Sequence, residues 1–535
     1  MKMKRIIGTL LAICLIGGAN VAAESRTFEL GKWIEIEHSI LKNLYSSYVD
    51  TIPTERMMKA GITAMLEQLD PYTVYVPEEN NADFELMISH SYGGIGAIIH
   101  KVPGENVIIN EPYEGSPSDR SGLQCGDEII EVDGFPVLPL TAKESTDRMK
   151  GQPGTKVVFK VKKVRTNKIV NITVIREKIH LPDIPYVGMY NDTTGYITQT
   201  GFTSGVAQEL KKDILALKKK GMKHLVYDLR GNGGGLLNEA VDIVSLFVPK
   251  GSLVVTAKAY GDDDAAEYRT TLEPIDTKLP ITVLIDSGSA SASEIVAGAL
   301  QDLDRATIAG KRSFGKGLVQ HVMPVAYNGQ LKVTVAKYYT PSGRCVQAID
   351  YSHRNEDGSV GQIPDSLTHV FYTTKGRPVR DGGGITPDVE LPEPEYSRLV
   401  YSMVRNGIID DYVMYYVRSH ESLPRLEKFH FGEEDFEDFV QFAKEKKFDF
   451  RSSASALLDQ MREALKKDGM AETAAAEMDA LEKVIKLDKE QFIRLKKDEL
   501  IPFIEEELAV RYYYQSAGVQ IRLRYDNALK KLIEK

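Results

Sequence analysis

An apolar segment that turns directly into an amphipathic helix most constrains the fold of this chain. Residues 281–286 read ITVLID, which predicts a buried strand, and a helical pattern begins next to Ser291. Strand and helix patterns of this kind alternate from residue 179 to residue 394. This alternation predicts an α/β core with partly parallel strands, because parallel neighbours need a crossover connection between them.

A serine and a lysine in this region predict nucleophilic chemistry. Ser291 stands at the strand-to-helix turn, where helix N-terminal amides can stabilise an oxyanion. Lys316 lies between two glycines, and burial would favour the neutral amine that can accept a proton. The pair therefore indicates acyl transfer. Two alternatives stay open: Ser291 and Glu294 match a helix capping box, and most lysines are solvated surface charges.

Further residues are candidates for supporting roles. The strand after Lys316 places Gln320 on the lysine's face, where it can orient the amine or serve only as a polar edge residue. Asp302 lies three helical turns beyond Ser291, about 16 Å along the axis, which is too far for direct contact. We expect Asp302 to act as a supporting or salt-bridging residue, with a solvated helix charge as the alternative. Three other serines compete with Ser291 for the nucleophile's role, namely Ser287, Ser289 and Ser293.

Two glycine-rich loops have different predicted functions. The loop GNGGG, residues 231–235, lies between a strand and a helix. It lacks both the third glycine of the dinucleotide-binding motif and the Gly-Lys-Ser/Thr ending of a phosphate-binding loop. It is better suited to supply one amide of an oxyanion hole, or simply a tight turn. The loop YGGIG, residues 92–96, precedes a strand in a β-rich module. Its amides can hold a terminal carboxylate while the strand pairs with an added peptide, or it forms a hairpin without a ligand.

The N-terminal residues predict export. A basic start, an apolar run and the small residues VAA before Glu24 match a signal peptide, and the apolar run is shorter than the ~20 residues of a spanning helix. An uncleaved anchor is the alternative. The net charge of −9 gives no support to nucleic-acid binding. Beyond this segment only Cys125 and Cys345 remain, and we expect them to be unpaired. No histidine spacing indicates a metal site, and no cofactor is expected.

Several motifs together resemble the carboxyl-terminal processing peptidases, or tail-specific proteases, an exported serine peptidase family with a PDZ domain. The matching segments span roughly residues 30–392 and occur in the family's order: LDPYTVYVP, GGIGA, GSPSDRSGLQCGDEIIEVDG, DLRGNGGGLL, SASASEIVAGALQD, SFGKGLVQ, YYTPSGRCVQ and GITPDVEL. The serine motif and the Phe-Gly-Lys-Gly motif at this spacing are highly specific to the family.

The resemblance implies a role for each matching residue. Ser291 would be the nucleophile, Lys316 the base and Gln320 the residue that orients the lysine. Asp302 matches an aspartate that influences activity in some members. The oxyanion hole would combine the amides of Ala292 and Gly234, although Gly233 replaces the proline usual in this loop. The tail-binding loop would comprise four residues, Gly93, Gly94, Ile95 and Gly96.

These observations predict a multidomain α/β and α+β protein. Its parts are a signal peptide (1–23), an N-terminal helical region (24–83), a PDZ domain (84–178), a crotonase-like Ser-Lys peptidase core (179–394) and a C-terminal helical domain (395–535). The predicted function is endoproteolysis near the C-termini of protein or peptide substrates, in the periplasm or cell envelope. The alternatives are an idle PDZ tail-binding scaffold and a crotonase-like acyl-thioester enzyme. Membrane association and a homo-oligomer stay open.

Overall fold

The computed structural model describes residues 27–261, 265–355, 358–448, 452–485 and 488–534. The predicted signal peptide lies outside the described residues. The chain divides into two compact units, one ending at Tyr75 and one beginning at Val76, and each is described by itself.

The described part of the first unit is helical. Helix α1 covers residues 27–47, helix α2 covers Thr54–Glu67, and strand β1 covers Val74–Val76. An aspartate turn follows α2, in which the Asp70 carboxylate accepts hydrogen bonds from the Tyr72 and Thr73 amides at 2.8 and 2.9 Å. Such side-chain turns compete with helical hydrogen bonds, which explains why the helical pattern stops here.

A β-rich module follows, and its main sheet has the strand order β3-β4-β5-β7-β8 with β3 at one edge. Alternate residues of β7 are buried in its core, as expected for a sheet with one covered face. Strands β2 and β9 form a separate antiparallel pair. The elements are α3 (Asn81–Ser89), β2 (Ser91–Gly94), β3 (Ala97–Lys101), β4 (Val107–Pro112), α4 (Pro117–Arg120), β5 (Glu128–Val132), β6 (Phe135–Pro136), α5 (Ala142–Met149), β7 (Lys156–Lys162), β8 (Ile169–Ile175) and β9 (Glu177–His180).

The next part of the chain forms a central sheet with the order β10-β11-β12-β15-β16-β23. Its strands are parallel except for β10, and α6, α7 and α8 pack on one face. The elements up to the middle of this region are β10 (Tyr186–Met189), β11 (Thr194–Thr198), α6 (Val206–Lys219), β12 (His224–Asp228), α7 (Leu237–Ser245), β13 (Leu253–Ala259), β14 (Ala266–Arg269), β15 (Ile281–Ile285), α8 (Ala292–Asp302) and β16 (Thr307–Gly310).

A second, antiparallel sheet contains a long hairpin, β17 (Leu318–Pro324) and β18 (Gln330–Tyr339), in which β18 also pairs with β13 and β13 with β14. Tyr327 and Asn328 in the connection have φ of 56° and 54°, the left-handed conformation of a tight hairpin turn. Short strands complete the region: β19 (Ile349–Arg354), β20 (Val360–Gln362), β21 (Val370–Tyr372), β22 (Pro378–Arg380) and β23 (Val389–Glu390).

The C-terminal region is helical and has an aromatic core in which Tyr412 contacts Phe439 edge-on at 5.0 Å between ring centroids. Its last long helix is interrupted at Tyr514, where φ is 66° and ψ is −179°. The helices are α9 (Arg398–Arg405), α10 (Ile408–Ser419), α11 (Glu433–Glu445), α12 (Ser453–Lys467), α13 (Ala475–Ile485), α14 (Lys489–Leu495), α15 (Lys497–Tyr525) and α16 (Asn527–Ile533).

The predicted multidomain α/β and α+β architecture is confirmed: helices at the N-terminal end, a β-rich module, an α/β core and a helical C-terminal region follow one another along the chain. Strand β9 extends past the predicted module boundary at residue 178. Among the helices described, none combines the length and apolar composition needed to cross a bilayer.

Candidate active site

Ser291 occupies a strained turn at the carboxyl end of the central sheet. Its φ of 56° and ψ of −112° are rare for a residue with a side chain, and strain of this kind persists only where surrounding contacts fix it. The Ser291 amide donates to Glu294 Oε2 at 2.9 Å, and its carbonyl accepts from the Ile295 amide at 2.9 Å and the Tyr338 hydroxyl at 3.2 Å. The backbone is therefore held on both sides of Ser291.

Glu294 joins the serine turn to the lysine loop. Its fully buried carboxylate accepts from the Ser291 amide, the Ser313 hydroxyl (2.6 Å), the Gly315 amide (2.7 Å) and the Lys316 amide (2.8 Å). Burial raises the pKa of Glu294, and the hydrogen bonds donated to it oppose that shift. One carboxylate thus fixes the backbone of both predicted catalytic residues.

The structure brings Ser291, Lys316, Gln320 and Gly234 to one cavity of about 500 Å³. Its walls are largely apolar, which suits an extended peptide better than a highly charged ligand. The apolar lining includes Met87, Phe202, Leu236, Ile295, Leu318 and Val322.

The strand after Lys316 forms one wall of this cavity. Lys316 and Gln320 both line it, as expected, but Val319 lines it too, so the lining does not follow a strict two-residue period. The Gln320 amide donates to Thr334 Oγ1 on the neighbouring strand at 3.3 Å. The role of Gln320 in orienting the lysine amine stays a prediction.

Gly234 lies directly against Ser291. A Cβ atom on Gly234 would be 2.8 Å from Ser291 Cβ and 2.9 Å from the Ala292 nitrogen, and its φ is +99°. Glycine is therefore required here for both close approach and conformation. The Gly234 amide donates to Asn232 Oδ1 at 2.9 Å in this structure. The role of the Gly234 amide as an oxyanion donor stays a prediction. It requires that a substrate oxygen replace Asn232 Oδ1 as the acceptor of this amide.

The competing serines have other partners. Ser289 and Ser293 are fully buried, and their hydroxyls donate to the carbonyls of Leu229 (2.8 Å) and Asn232 (2.9 Å). These two hydroxyls attach the serine turn to the glycine loop. Ser291 is the member of the group that lines the cavity.

Asp302 lies away from the cavity in a buried ion pair. Its carboxylate is 2.8 Å from Arg344 Nη2 and accepts from Thr340 Oγ1 (2.5 Å) and the Ser342 amide (3.0 Å). Both side chains of the pair are almost completely buried. The alternative of a solvated helix charge is wrong, and the geometry is that of a salt-bridging residue.

His90 and Asp183 form a pair that the sequence analysis missed. His90 lines the cavity, and its Nδ1 is 2.7 Å from Asp183 Oδ1. The Asp183 carboxylate also accepts from the Thr203 amide at 3.2 Å. No local pattern identifies this pair, because its members belong to segments far apart in the sequence.

The predicted tail-binding loop is shorter in the structure than in the prediction. Gly93 and Gly94 belong to β2 and pair with Lys178 and Glu177 of β9. The absence of a Cβ at Gly93 admits the Gly151 carbonyl, which a Cβ would approach to 2.2 Å. Ile95 and Gly96 alone connect β2 to the edge strand β3, and the Ile95 side chain is buried in the module's core. A tail-binding role for these four residues stays a prediction.

The cysteines and the possible metal ligands can be described briefly. Cys125 and Cys345 are unpaired. In the part of the chain that the structure describes, no cluster of three or more His, Cys, Asp or Glu side chains is suited to hold a metal ion.

Comparison with known proteins identifies three segments of the chain. Residues 193–353 match the model of "Peptidase family S41", residues 108–163 match "PDZ domain", and residues 399–534 match "Probable PDZ-protease, C-terminal helical domain".

Similar proteins include a "Carboxy-terminal-processing protease" of Bartonella bacilliformis, 33% identical over 64% of this chain and 79% of the relative. A "Probable CtpA-like serine protease" of Staphylococcus aureus is 30% identical over 74% of this chain and 73% of the relative. Among solved structures, a photosystem II D1 C-terminal processing protease is 25% identical, with 66% of this chain and 86% of that chain covered and a TM-score of 0.36.

The fold, the cavity and these matches define a serine-type peptidase that carries a PDZ domain and acts on peptides or proteins. The chain belongs to peptidase family S41, the family of the carboxy-terminal-processing proteases. The suspected resemblance is therefore confirmed.

Proposed function

We propose that this chain is an exported endopeptidase that captures protein C-terminal tails in its PDZ domain and cleaves near them through a Ser291–Lys316 acyl-enzyme mechanism. The observation that carries the proposal is the meeting of Ser291, Lys316 and Gln320 with the glycine loop in one cavity. The names of the relatives, which are carboxy-terminal-processing and serine proteases, support the same reaction class.

The reaction begins with proton transfer from Ser291 Oγ to the neutral amine of Lys316. The Oγ atom then attacks the scissile carbonyl carbon, and the resulting tetrahedral intermediate carries a negative oxygen. When the C–N bond breaks, the leaving amine takes the proton from the lysine ammonium. Water then attacks the acyl-enzyme ester with the lysine as base, which releases the second product and restores Ser291.

The oxyanion is held by amides from two elements. Ala292 begins α8, so its amide is among those at the helix N-terminus that have no intrahelical acceptor. The Gly234 amide would be the second donor, after the substrate oxygen has replaced Asn232 Oδ1 as its acceptor. Two amides aimed at the developing charge are the usual arrangement for acyl transfer.

Tail capture uses the edge of the PDZ sheet. Strand β3 is the terminal strand of its sheet, and an extended peptide can add to such an edge through main-chain hydrogen bonds. The groove would run between β3 and α5, and helix α5 is fixed by the Thr141–Glu144 capping box. Recognition of the final carboxylate by the Ile95–Gly96 connection would restrict the groove to chain ends.

The central experiment compares two substrates that differ only in the C-terminal group, which is a carboxylate in one and an amide in the other. An internally quenched peptide with an apolar C-terminus is prepared as a free acid and as a C-terminal amide. We expect cleavage of the acid by the wild-type chain, slower cleavage of the amide, and no cleavage by Ser291→Ala or Lys316→Ala. Ser287→Ala, at an exposed serine in the same turn, is the matched control and should behave as wild type.

Each alternative function gives a different result in this assay. Equal peptide binding without cleavage by wild type and Ser291→Ala would favour the idle scaffold. Full activity toward a thioester in Lys316→Ala, with no peptide cleavage, would favour the acyl-thioester enzyme. Equal cleavage of acid and amide would remove tail recognition from the proposal while leaving the peptidase in place.

The export part of the proposal rests on the basic and apolar N-terminal sequence. Fractionation of the native host, followed by N-terminal sequencing, should find the chain outside the cytoplasm with Glu24 as its first residue. An intact Met1 in the cytoplasmic fraction would contradict this part alone.

A further inference from the structure

The last two helices of the chain complete the layer structure of the peptidase core. Helices α6, α7 and α8 cover one face of the central sheet, and residues of α15 and α16 pack against the other. The second cluster combines sheet residues with helical ones, namely Tyr196, Val226, Leu284 and Ala309 with Val519 and Leu529. Parallel sheets are stable when both faces are covered, so the C-terminal region is structurally part of the catalytic core.

One carboxylate at the junction of these helices has two distinct contacts. Asp526 lies between α15 and α16, and its Oδ1 accepts from the Leu529 amide at 2.8 Å, which caps α16. Its Oδ2 lies 2.9 Å from Arg230 Nη1. The Asp526 side chain is 14% exposed and the Arg230 side chain 30% exposed, so the ion pair is partly shielded from solvent. Oδ1 of Asp526 therefore caps helix α16, and Oδ2 pairs with the Arg230 guanidinium.

Arg230 stands immediately before the glycine loop of the active site. Its guanidinium contacts Asp228 through Nε and Nη2 at 2.6 to 3.0 Å, and Asp228 also accepts the Tyr196 hydroxyl. The Arg230 amide donates to the same aspartate at 2.9 Å. Asp228 ends strand β12, so this network links the end of a central strand, the start of the loop and the C-terminal region.

The glycines of this loop give it little conformational preference of its own, and contacts from outside hold it, among them hydrogen bonds to Asp286 and Gln199. Gly231, Gly234 and Gly235 all have positive φ, and Gly234 must lie against Ser291. Small displacements at this point change the position of the oxyanion donors. Asp526 contacts Arg230 from outside the segment that matches peptidase family S41, which ends at residue 353.

We propose that Asp526 is a positioning residue for the oxyanion side of the active site, and that it acts through Arg230. The C-terminal helical region thereby contributes to the chemical step as well as to folding. This inference rests on the proposed Ser291 mechanism, because its effect is a change in the rate of that reaction.

Two substitutions separate the two contacts of Asp526. Asp526→Asn keeps an oxygen that can cap α16, since asparagine is a good N-cap, but removes the anion opposite Arg230. Asp526→Glu keeps the anion and weakens the cap. Asp479→Asn is the matched control, because it removes an aspartate from the exposed Arg462 pair in the same region.

The experiment measures kcat and KM with the free-acid peptide, the rate of labelling by a fluorophosphonate probe, and Tm for the full chain. We expect Asp526→Asn to lower kcat and the labelling rate roughly tenfold, less than the loss of a whole oxyanion donor, with KM and Tm near wild type. Asp526→Glu should keep most of kcat and lower Tm by about 2–4 °C.

Three results would overturn the inference. Wild-type kcat and labelling in Asp526→Asn would show that the ion pair has no role in positioning. Parallel losses of kcat and Tm in both Asp526 variants would show a purely structural role. An equal loss in Asp479→Asn would show a general charge effect. Failure of the proposed function is distinguishable, because wild type itself would then show no labelling or cleavage that Ser291→Ala abolishes.

Discussion

Replacement of Gly234 by alanine should slow the enzyme more than tenfold while leaving most of the molecule unchanged. The new Cβ would lie 2.7 Å from the Ala290 carbonyl oxygen, 2.8 Å from Ser291 Cβ and 2.9 Å from the Ala292 nitrogen. Two of these atoms are backbone, in a turn held by buried hydrogen bonds, so they cannot rotate away. The substitution therefore acts on the predicted nucleophile and on both predicted oxyanion donors at once.

The size of the effect follows from these distances. Ordinary van der Waals contact begins at 3.4 Å, so the 2.8 Å approach to Ser291 Cβ requires a relative shift of about 0.6 Å. A misplacement of about 1 Å in an active site can cost on the order of a hundredfold in rate. The left-handed backbone adds roughly 1–2 kcal/mol of strain for alanine. That strain lowers the stability of the folded chain, whereas the shift of about 0.6 Å predicts a fall in kcat of roughly fifteenfold.

Two neighbouring glycines provide the controls for this prediction. Gly233→Ala meets no atom within 4 Å and carries no positive φ, so it should retain activity. Gly231→Ala meets no atom either but has φ of +69°, so it isolates backbone strain and should lower Tm more than kcat. Fluorophosphonate labelling and cleavage of the quenched peptide measure the three variants side by side. Activity in Gly234→Ala equal to that of Gly233→Ala would refute the assignment of this loop to the oxyanion side.

Three further substitutions test the buried charges. The Glu294 carboxylate accepts four hydrogen bonds, and Glu294→Gln replaces one of its two acceptor oxygens by an NH₂ donor. We expect kcat to fall roughly a hundredfold, with tail binding, measured by fluorescence anisotropy, unchanged. A wild-type kcat in this variant would contradict the role of Glu294 in joining the two loops. Burial raises the pKa of Glu111 to about 7 from 4.5, so the folded chain favours the protonated carboxyl and loses up to about 3 kcal/mol of stability as pH rises from 4.5 through 7. Glu111→Gln should remove this part of the pH dependence of Tm. Parallel curves of Tm against pH for the wild type and the variant would contradict this prediction. Asp302→Asn leaves Arg344 buried without a counter-charge and should cost about 3–5 kcal/mol in unfolding, while kcat of the folded fraction stays near wild type. A selective loss of kcat would instead give Asp302 a catalytic role.

Local patterns were sufficient to predict the parts of the site that depend on neighbouring residues. The all-apolar strand before the helix placed Ser291 at a turn, and Gln320, expected beside Lys316, lines the same cavity. In each case the controlling interactions lie within one or two elements, so the sequence contains the necessary information.

Longer-range contacts were not predictable in this way. The capping-box pattern identified Glu294 as a partner of Ser291, yet its other donors come from Ser313, Gly315 and Lys316. The pairing of Asp302 with Arg344 joins residues in separate elements, and so does the pairing of Asp526 with Arg230. Helical periodicity shows that a helix has an apolar face but not which surface that face covers.

The position of α15 and α16 on the central sheet has a consequence for the timing of biosynthesis. Val519 leaves the ribosome about two hundred residues after Ala309, the sheet residue in the same cluster. At roughly 5–20 residues per second, this corresponds to a delay of about 10 to 40 s. During that interval the strands and Ser291 already exist while one face of the sheet is uncovered. A chain stalled before α15 should therefore fail to react with a fluorophosphonate, and the nascent enzyme would be unable to cleave its neighbours until its synthesis is nearly complete.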